Sequence, residues 1–406
     1  MIPRFKPYLD REELLAVLCR QEGAITRFEE AFACMFEARY AIAFPYGRSA
    51  LWAFLKALGI EGAEVVMPAY TCVVVAHAIV LSQNIPRFVD ITLHDYNMDL
   101  DQVEAAISER TRAIIATHLF GYPLNVNRLS EIVHAAEARL GHKVWVVQDC
   151  AHAFGARWQG RLVCNEGDVA LFGLNISKMI TSVFGGMITT NDPTLYGKLR
   201  TFRDEHFVQP GLLKRARRFL YLLAVYPAFN EHIYGLVNWL QEETPLLDYL
   251  SKAYHRDSRI HFPPDYLDRM IEFEAKVGLA QLCKYPEIVY RRQENARYYD
   301  QNLQGLPELE SPPLVEGATY SHYVVRVPDR QSMLRALQRR GIQLGELIEY
   351  SVPHMSVYQR YVGEWPFANS FACSQRTVNL PVHAGLSSYQ RKKVITVVSA
   401  WAVRRI

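Results

Sequence analysis

One lysine lies in an apolar turn. In "FGLNISKMITSVFGGMITTND" (172–192), Lys178 follows Phe172 and Leu174 and precedes Met179, Ile180, Val183 and Phe184, ahead of a Gly185-Gly186 hinge. An amine withdrawn from water has a depressed pKa, which suits it to nucleophilic and proton-transfer chemistry. Upstream, Asp149 closes the apolar run "KVWVVQD" (143–149), and His152 follows in "QDCAHAFGA". A carboxylate at a buried strand end is ordinarily a turn or cap residue; facing a cationic ring nitrogen, it stays ionised. In "FPYGRSALWAF" (44–54), Gly47 separates a strand from a helix expected to begin near Ser49. Backbone N–H groups at a helix start, with the Ser49 hydroxyl and Arg48 beside them, suit a phosphate, although Gly-Xaa-Ser before a helix equally serves as a plain N-cap. In "MPAYTCVVVAHAI" (67–79), Tyr70 and Cys72 sit at a strand end and are candidates to cover a flat ring.

Something must bring these residues together. Short apolar runs, "AIAF" (41–44), "EVVMP" (64–68), "PRFVD" (86–90), "RAIIATHL" (112–119), "KVWVVQD" and "DVALFGL" (168–174), read as buried strands. They alternate with helical patterns at 49–58, 99–107 and 127–140. The alternation predicts an α/β domain with a mostly parallel sheet between helices, whose ligands gather beyond the carboxyl ends of the strands. That domain is placed at 1–260, and linking helices plus a smaller C-terminal α+β domain at 261–406. Within the second part, 267–303 reads as a long helical pattern interrupted near Pro286, followed by a strand "HYVVRV" (322–327) and a helix at about 330–340. Residues 212–240 fit neither domain. They form two apolar stretches divided at Pro227, the first opened by Lys214, Arg215, Arg217 and Arg218. The expectation is a helical hairpin buried against the core or a neighbouring subunit, with contact to a membrane surface as the alternative.

Phosphate cradle, strand-end acid and buried-turn lysine, in that order, are what pyridoxal 5′-phosphate requires: a carboxylate for its pyridinium nitrogen and an amine for its aldehyde. Competing chemistry has no foothold. HExxH, Walker A, GxSxG and an early GxGxxG are all missing, and the 13 histidines lack metal-ligand spacing, so no metal is expected. With 45 basic against 42 acidic residues, charge gives no reason to expect nucleic acid as a partner. Seven scattered cysteines without CxxC spacing read as free thiols in a reducing compartment, and the absence of a signal-peptide core or membrane span predicts a cytoplasmic protein.

Taken together, Gly47-Arg48-Ser49-Ala50-Leu51, Pro68-Ala69-Tyr70-Thr71, "HLFGYPLNVNRL" (118–129), "QDCAHAFGA", the lysine stretch, "RMIEFEAKVGLAQLCKYPEIVYRRQENARYY" (269–299) and "SVPHMSVYQRY…NLPVHAGLS" (351–387) resemble the DegT/DnrJ/StrS-type sugar aminotransferases, which are fold-type-I pyridoxal-phosphate enzymes. The resemblance implies a large domain with a seven-stranded sheet. It matches Lys178 to the Schiff-base lysine and Asp149 to the pyridine-nitrogen partner. His152 falls beside the ring, Ser177 where a hydroxyl reaches the phosphate, and Gly47, Arg48 and Ser49 at the phosphate turn. Arg269 matches a position that approaches the neighbouring subunit's cofactor, which implies a homodimer with shared sites. The implied reaction takes an amino group from an amino acid, L-glutamate, to a keto-sugar, nucleotide-linked, in polysaccharide or secondary-metabolite biosynthesis. Tyr70, His322 and His354 are substrate candidates. Members with histidine for lysine remove a hydroxyl instead; Lys178 points to transamination. A pyridoxal-phosphate sugar dehydratase and a catalytically idle cofactor-binding regulatory or scaffold protein are the alternatives. Three positions depart from the family pattern: Cys72 stands where an aromatic usually stacks, Met179 replaces an asparagine, and the 205–260 region is unusually long.

Overall fold

The computed structural model describes residues 1–19, 22–230, 233–243, 259–363 and 366–404. The apolar runs become β1 (Tyr40–Phe44), β2 (Glu64–Pro68), β3 (Ile85–Val89), β4 (Thr111–Thr117) and β5 (Trp145–Asp149). A two-residue hairpin, β6 (Arg157–Trp158) and β7 (Arg161–Leu162), precedes β8 (Val169–Gly173) and β9 (Gly186–Thr190). Seven of these form one sheet in the order β1-β9-β8-β5-β4-β2-β3. The pairs β2/β3, β2/β4, β4/β5 and β5/β8 are parallel, and β9 alone runs antiparallel to its neighbours. Strands sealed on both faces need no polar alternation, and Ala113, Ile114, Ile115 and Ala116 of β4 are all fully buried. The inversion at β9 arises because the loop carrying Lys178 returns without a crossover helix.

Register is what makes a site. Thr117 pairs with Asp149 and Asp149 with Leu171, so the carboxyl ends of β4, β5 and β8 lie side by side. The helix Gly47–Ala57 starts two residues earlier than the sequence pattern suggested, with Tyr46 in extended conformation as its N-cap. Gly186 allows this start to approach: a Cβ there would lie 2.4 Å from Gly47 N.

Glu272–Leu303 is one continuous 32-residue helix, which corrects the expected break at Pro286. Proline removes one intrahelical donor, but Val277, Leu282, Ile288, Ala296 and Tyr299 are buried on either side of it, and that packing keeps the axis intact. The C-terminal part pairs β10 (Tyr323–Arg326) with β11 (Thr377–Leu380) under the helices Arg330–Arg339 and Ser388–Arg404. Its hydrophobic cluster also recruits Ile2, Tyr70, Ile91 and Tyr96, and Ile2 bridges to Ile342, so chain from the first hundred residues closes its core.

The long region forms helices Leu212–Ala228 and Tyr234–Glu243; residues 244–258 of it lie outside the described residues. Pro227 falls within the last turn of the first helix rather than between the two. Burial is one-sided: Arg218, Leu222 and Val225 face inward, while Leu212 and Leu213 are exposed, as are Leu220, Leu236 and Trp239. Within one chain the region is therefore buried against the core on one side only, and its outer apolar residues face away from that core. No helix among the described residues is long and apolar enough to cross a membrane.

Candidate active site

The strand ends, the start of Gly47–Ala57 and the small-domain segment at 347–350 enclose a cavity of about 230 Å³. Gly47, Arg48, Cys72, Asp149, His152, Ser177 and Lys178, drawn from four separate sequence segments, all line it.

Lys178 is held by its loop. Its N–H donates to Asn175 O (3.0 Å), Ser182 N–H to Leu174 O (2.9 Å), and Leu174 N–H to Gly185 O (2.9 Å). Gly173 leaves room for the arm, since a Cβ there would meet Lys178 Cε at 3.3 Å. The lysine is half-buried, and among the described residues its amine has no ion pair. Burial lowers its pKa; Cys72 and Asp149 oppose that shift and Arg48 adds to it.

Asp149, 4% exposed, accepts from Ala151 N–H (3.1 Å) and, more distantly, the Thr117 hydroxyl (3.4 Å). Burial pushes its carboxyl up, against the pull of the Ala151 N–H, Lys178 and Thr117. Among the described residues this buried acid has no ion pair, and a cationic ring nitrogen would complete it. The His152 ring is kept neutral well below the usual histidine range, first by burial and then by Lys178 and His322.

Some candidates lie elsewhere. Ser49 is buried in the first helical turn and donates to Tyr266 O (2.6 Å), behind the cavity wall, because the helix begins at Gly47. Tyr70 is fully buried, donating to Ile348 O (3.1 Å) beside Thr377 Oγ1 (2.8 Å), and ties the sheet to the small domain. Neither lines the cavity. His354 is exposed, bonded to Ser351 Oγ and set against Phe371 (centroids 4.9 Å), again outside the cavity. His322 stands one layer back, its ring 4.9 Å from that of His152. Arg269 donates through Nε to Phe207 O (3.0 Å) and through Nη2 to Asp204 O (2.8 Å), away from the cavity of its own chain. Ser177 is at the exposed mouth, its hydroxyl on Asn175 Oδ1 (2.6 Å).

Among the lining residues that escaped the sequence reading are Tyr46, Thr117 and Tyr350. Thr117 ends a strand as Asp149 does, a signal that was present. Tyr350 had none; it arrives from the small domain and accepts from Val73 N–H (3.1 Å), bringing an aromatic ring next to Cys72.

This architecture and this convergence of lysine, strand-end acid and helix N-terminus define a fold-type-I aminotransferase. Residues 17–232 and 242–399 match the DegT/DnrJ/EryC1/StrS aminotransferase family, and the chain belongs to it. It is 29% identical to a GDP-perosamine synthase of Escherichia coli O157:H7 over 90% of this chain and 86% of that protein. Among solved structures it is similar to the sugar aminotransferase CalS13 of Micromonospora echinospora (TM-score 0.77, 23% identity, covering 98% of this chain and 100% of that one). The aminotransferase TlmJ of Streptoalloteichus hindustanus is similar at TM-score 0.76 and 25% identity, covering 100% of this chain and 99% of that one.

Proposed function

We propose that this aminotransferase carries pyridoxal 5′-phosphate in the cavity and moves an amino group from L-glutamate to a nucleotide-linked keto-sugar. The observation that carries the reading is the convergence of Lys178 and Asp149 on one cavity whose wall is a helix N-terminus. The residues fit the cofactor: a lysine arm and a buried carboxylate that, among the described residues, make no ion pair, and a turn whose N–H groups and Arg48 suit a phosphate. When bound, the cofactor supplies an electron sink for the carbanion formed at the amine-bearing carbon.

The remaining work falls to the chain. Asp149 would hold the ring nitrogen protonated, a charge-assisted contact in a site shut off from water. Lys178 Nζ, its pKa lowered by burial, would take the proton from the donor's α-carbon and deliver it on the cofactor side within the same half-reaction, then run that transfer in reverse for the acceptor. The Gly47–Ala57 N-terminus with Arg48 and Ser177 would anchor the phosphate. Neutral His152 would flank the ring as a hydrogen-bonding group rather than a charge. Arg269, turned away from its own cavity, would serve a partner subunit, making the working form a homodimer. The GDP-perosamine synthase relative supports a nucleotide-linked sugar as acceptor. In a direct test, holoprotein mixed with L-glutamate alone should release about one equivalent of 2-oxoglutarate per site and then stop, resuming only when a keto-sugar nucleotide is added. No 2-oxoglutarate from glutamate, with cofactor demonstrably bound, would refute the reading.

A further inference from the structure

Two members of the basic cluster that opens the long region, Lys214 and Arg218, turn inward, while Arg215 and Arg217 stay exposed. Lys214 bridges Asp265 (2.7 Å) and Asp268 (2.6 Å). Arg218, 4% exposed, donates to Glu274 Oε1 (2.6 Å), Asp265 Oδ2 (2.9 Å) and the Tyr46 hydroxyl (2.8 Å). Tyr46 in turn donates to Asp265 (2.9 Å). Tyr46 lines the cavity and is the N-cap of the helix whose first residues form the phosphate turn.

The same helix braces the other side of the cavity. The Arg218 guanidinium lies 4.4 Å over the Phe184 ring, and Tyr221 packs on Phe184 at 5.1 Å between centroids. Leu222 forms a buried cluster with Val183 and Val277. Val183 needs such support, because its φ of 75° is unfavourable for a β-branched residue and must be imposed by its surroundings. Val183 and Phe184 belong to the loop that carries Lys178, and Tyr46 bridges to Gly185 within it. One insertion helix therefore grips both the phosphate turn and the lysine loop.

We infer that the insertion helix Leu212–Ala228 is a structural brace of the cofactor site, with Arg218 as a positioning residue that fixes Tyr46 and, through it, the phosphate turn. The inference rests on the reading that the cavity holds pyridoxal phosphate. A planar guanidinium bonded to three partners fixes their mutual geometry in a way a lysine ammonium does not reproduce. Its removal loosens the turn without touching the cofactor itself.

The experiment measures the dissociation constant of pyridoxal phosphate, by absorbance of bound against free cofactor, for the wild-type full chain and for Arg218→Met, Arg218→Lys, Tyr46→Phe and the Arg218→Met/Tyr46→Phe double variant. Arg217→Ala, on the exposed side of the same helix, is the control and should match wild type. Loss of a charge-assisted hydrogen bond predicts cofactor binding roughly 10- to 100-fold weaker in Arg218→Met and roughly 3- to 10-fold weaker in Tyr46→Phe, with Arg218→Lys between wild type and Arg218→Met. Because Arg218 acts through Tyr46, the double variant should be no more than about threefold worse than Arg218→Met alone. If Arg218→Met leaves Glu274 uncompensated and does not fold, Tyr46→Phe and Arg218→Lys decide. Dissociation constants within about twofold of wild type for those two, or single effects that simply multiply, overturn the inference. A wild-type chain that binds no cofactor overturns the proposed function instead.

Discussion

Replacing Asp149 with Asn separates what the acid does for catalysis from what it does for the fold. Asn keeps the size and the acceptor oxygen for Ala151 N–H (3.1 Å), so the β5 end should hold its shape. What disappears is the negative charge facing the cofactor ring. One lost preorganised electrostatic contact is worth about 3–4 kcal/mol, so the glutamate half-reaction should slow by about 10²- to 10³-fold with the cofactor still bound. Stability should move the other way. Burial raises the Asp149 carboxyl pKa in the cofactor-free chain. A group with a raised folded pKa contributes stability below its unfolded pKa, and that contribution is lost as pH climbs through the raised value. The cofactor-free Asp149→Asn protein should therefore gain on wild type between acid and neutral pH, and melt at the same or a higher temperature at pH 7. Single-turnover kinetics and melting curves of the cofactor-free chains at acid and neutral pH make the comparison. A variant with wild-type turnover, or one destabilised at neutral pH but not at acid pH, would refute the assignment of this acid as the ring's counter-charge.

Two further substitutions probe the walls. Gly173→Ala puts a Cβ 3.3 Å from Lys178 Cε and should lower turnover roughly tenfold by displacing the amine, with donor KM nearly unchanged; unaltered kinetics would show the arm does not need that space. Tyr350→Phe removes the acceptor for Val73 N–H, a buried donor, and should cost about 1–3 kcal/mol of stability in denaturant melts, whereas an unchanged midpoint would mean another acceptor replaces it.

How much of this could be read from the chain follows from what is local in it. The strand runs and Gly-Arg-Ser start were local signals, and so was the lysine in its apolar turn; the sheet and the cavity's lining at 47, 48, 149 and 178 formed where those signals pointed. Pro286 misled because helix continuity there depends on packing along Glu272–Leu303, not on local propensity. The hydrogen bonds of Ser49 and Tyr70 were not legible, because a motif says which element a residue starts or ends, not which way its side chain faces. Tyr350 was hidden because it arrives from the small domain, far along the chain. The partners of Lys214 and Arg218 were hidden because Asp265, Asp268 and Glu274, which turn them inward, are distant in sequence.

The most direct measurement is chemical. Holoprotein reduced with borohydride and digested should carry the pyridoxyl mass on the peptide containing Lys178 and on no other. A label on another lysine, or a chain that takes up no vitamer, would contradict the account.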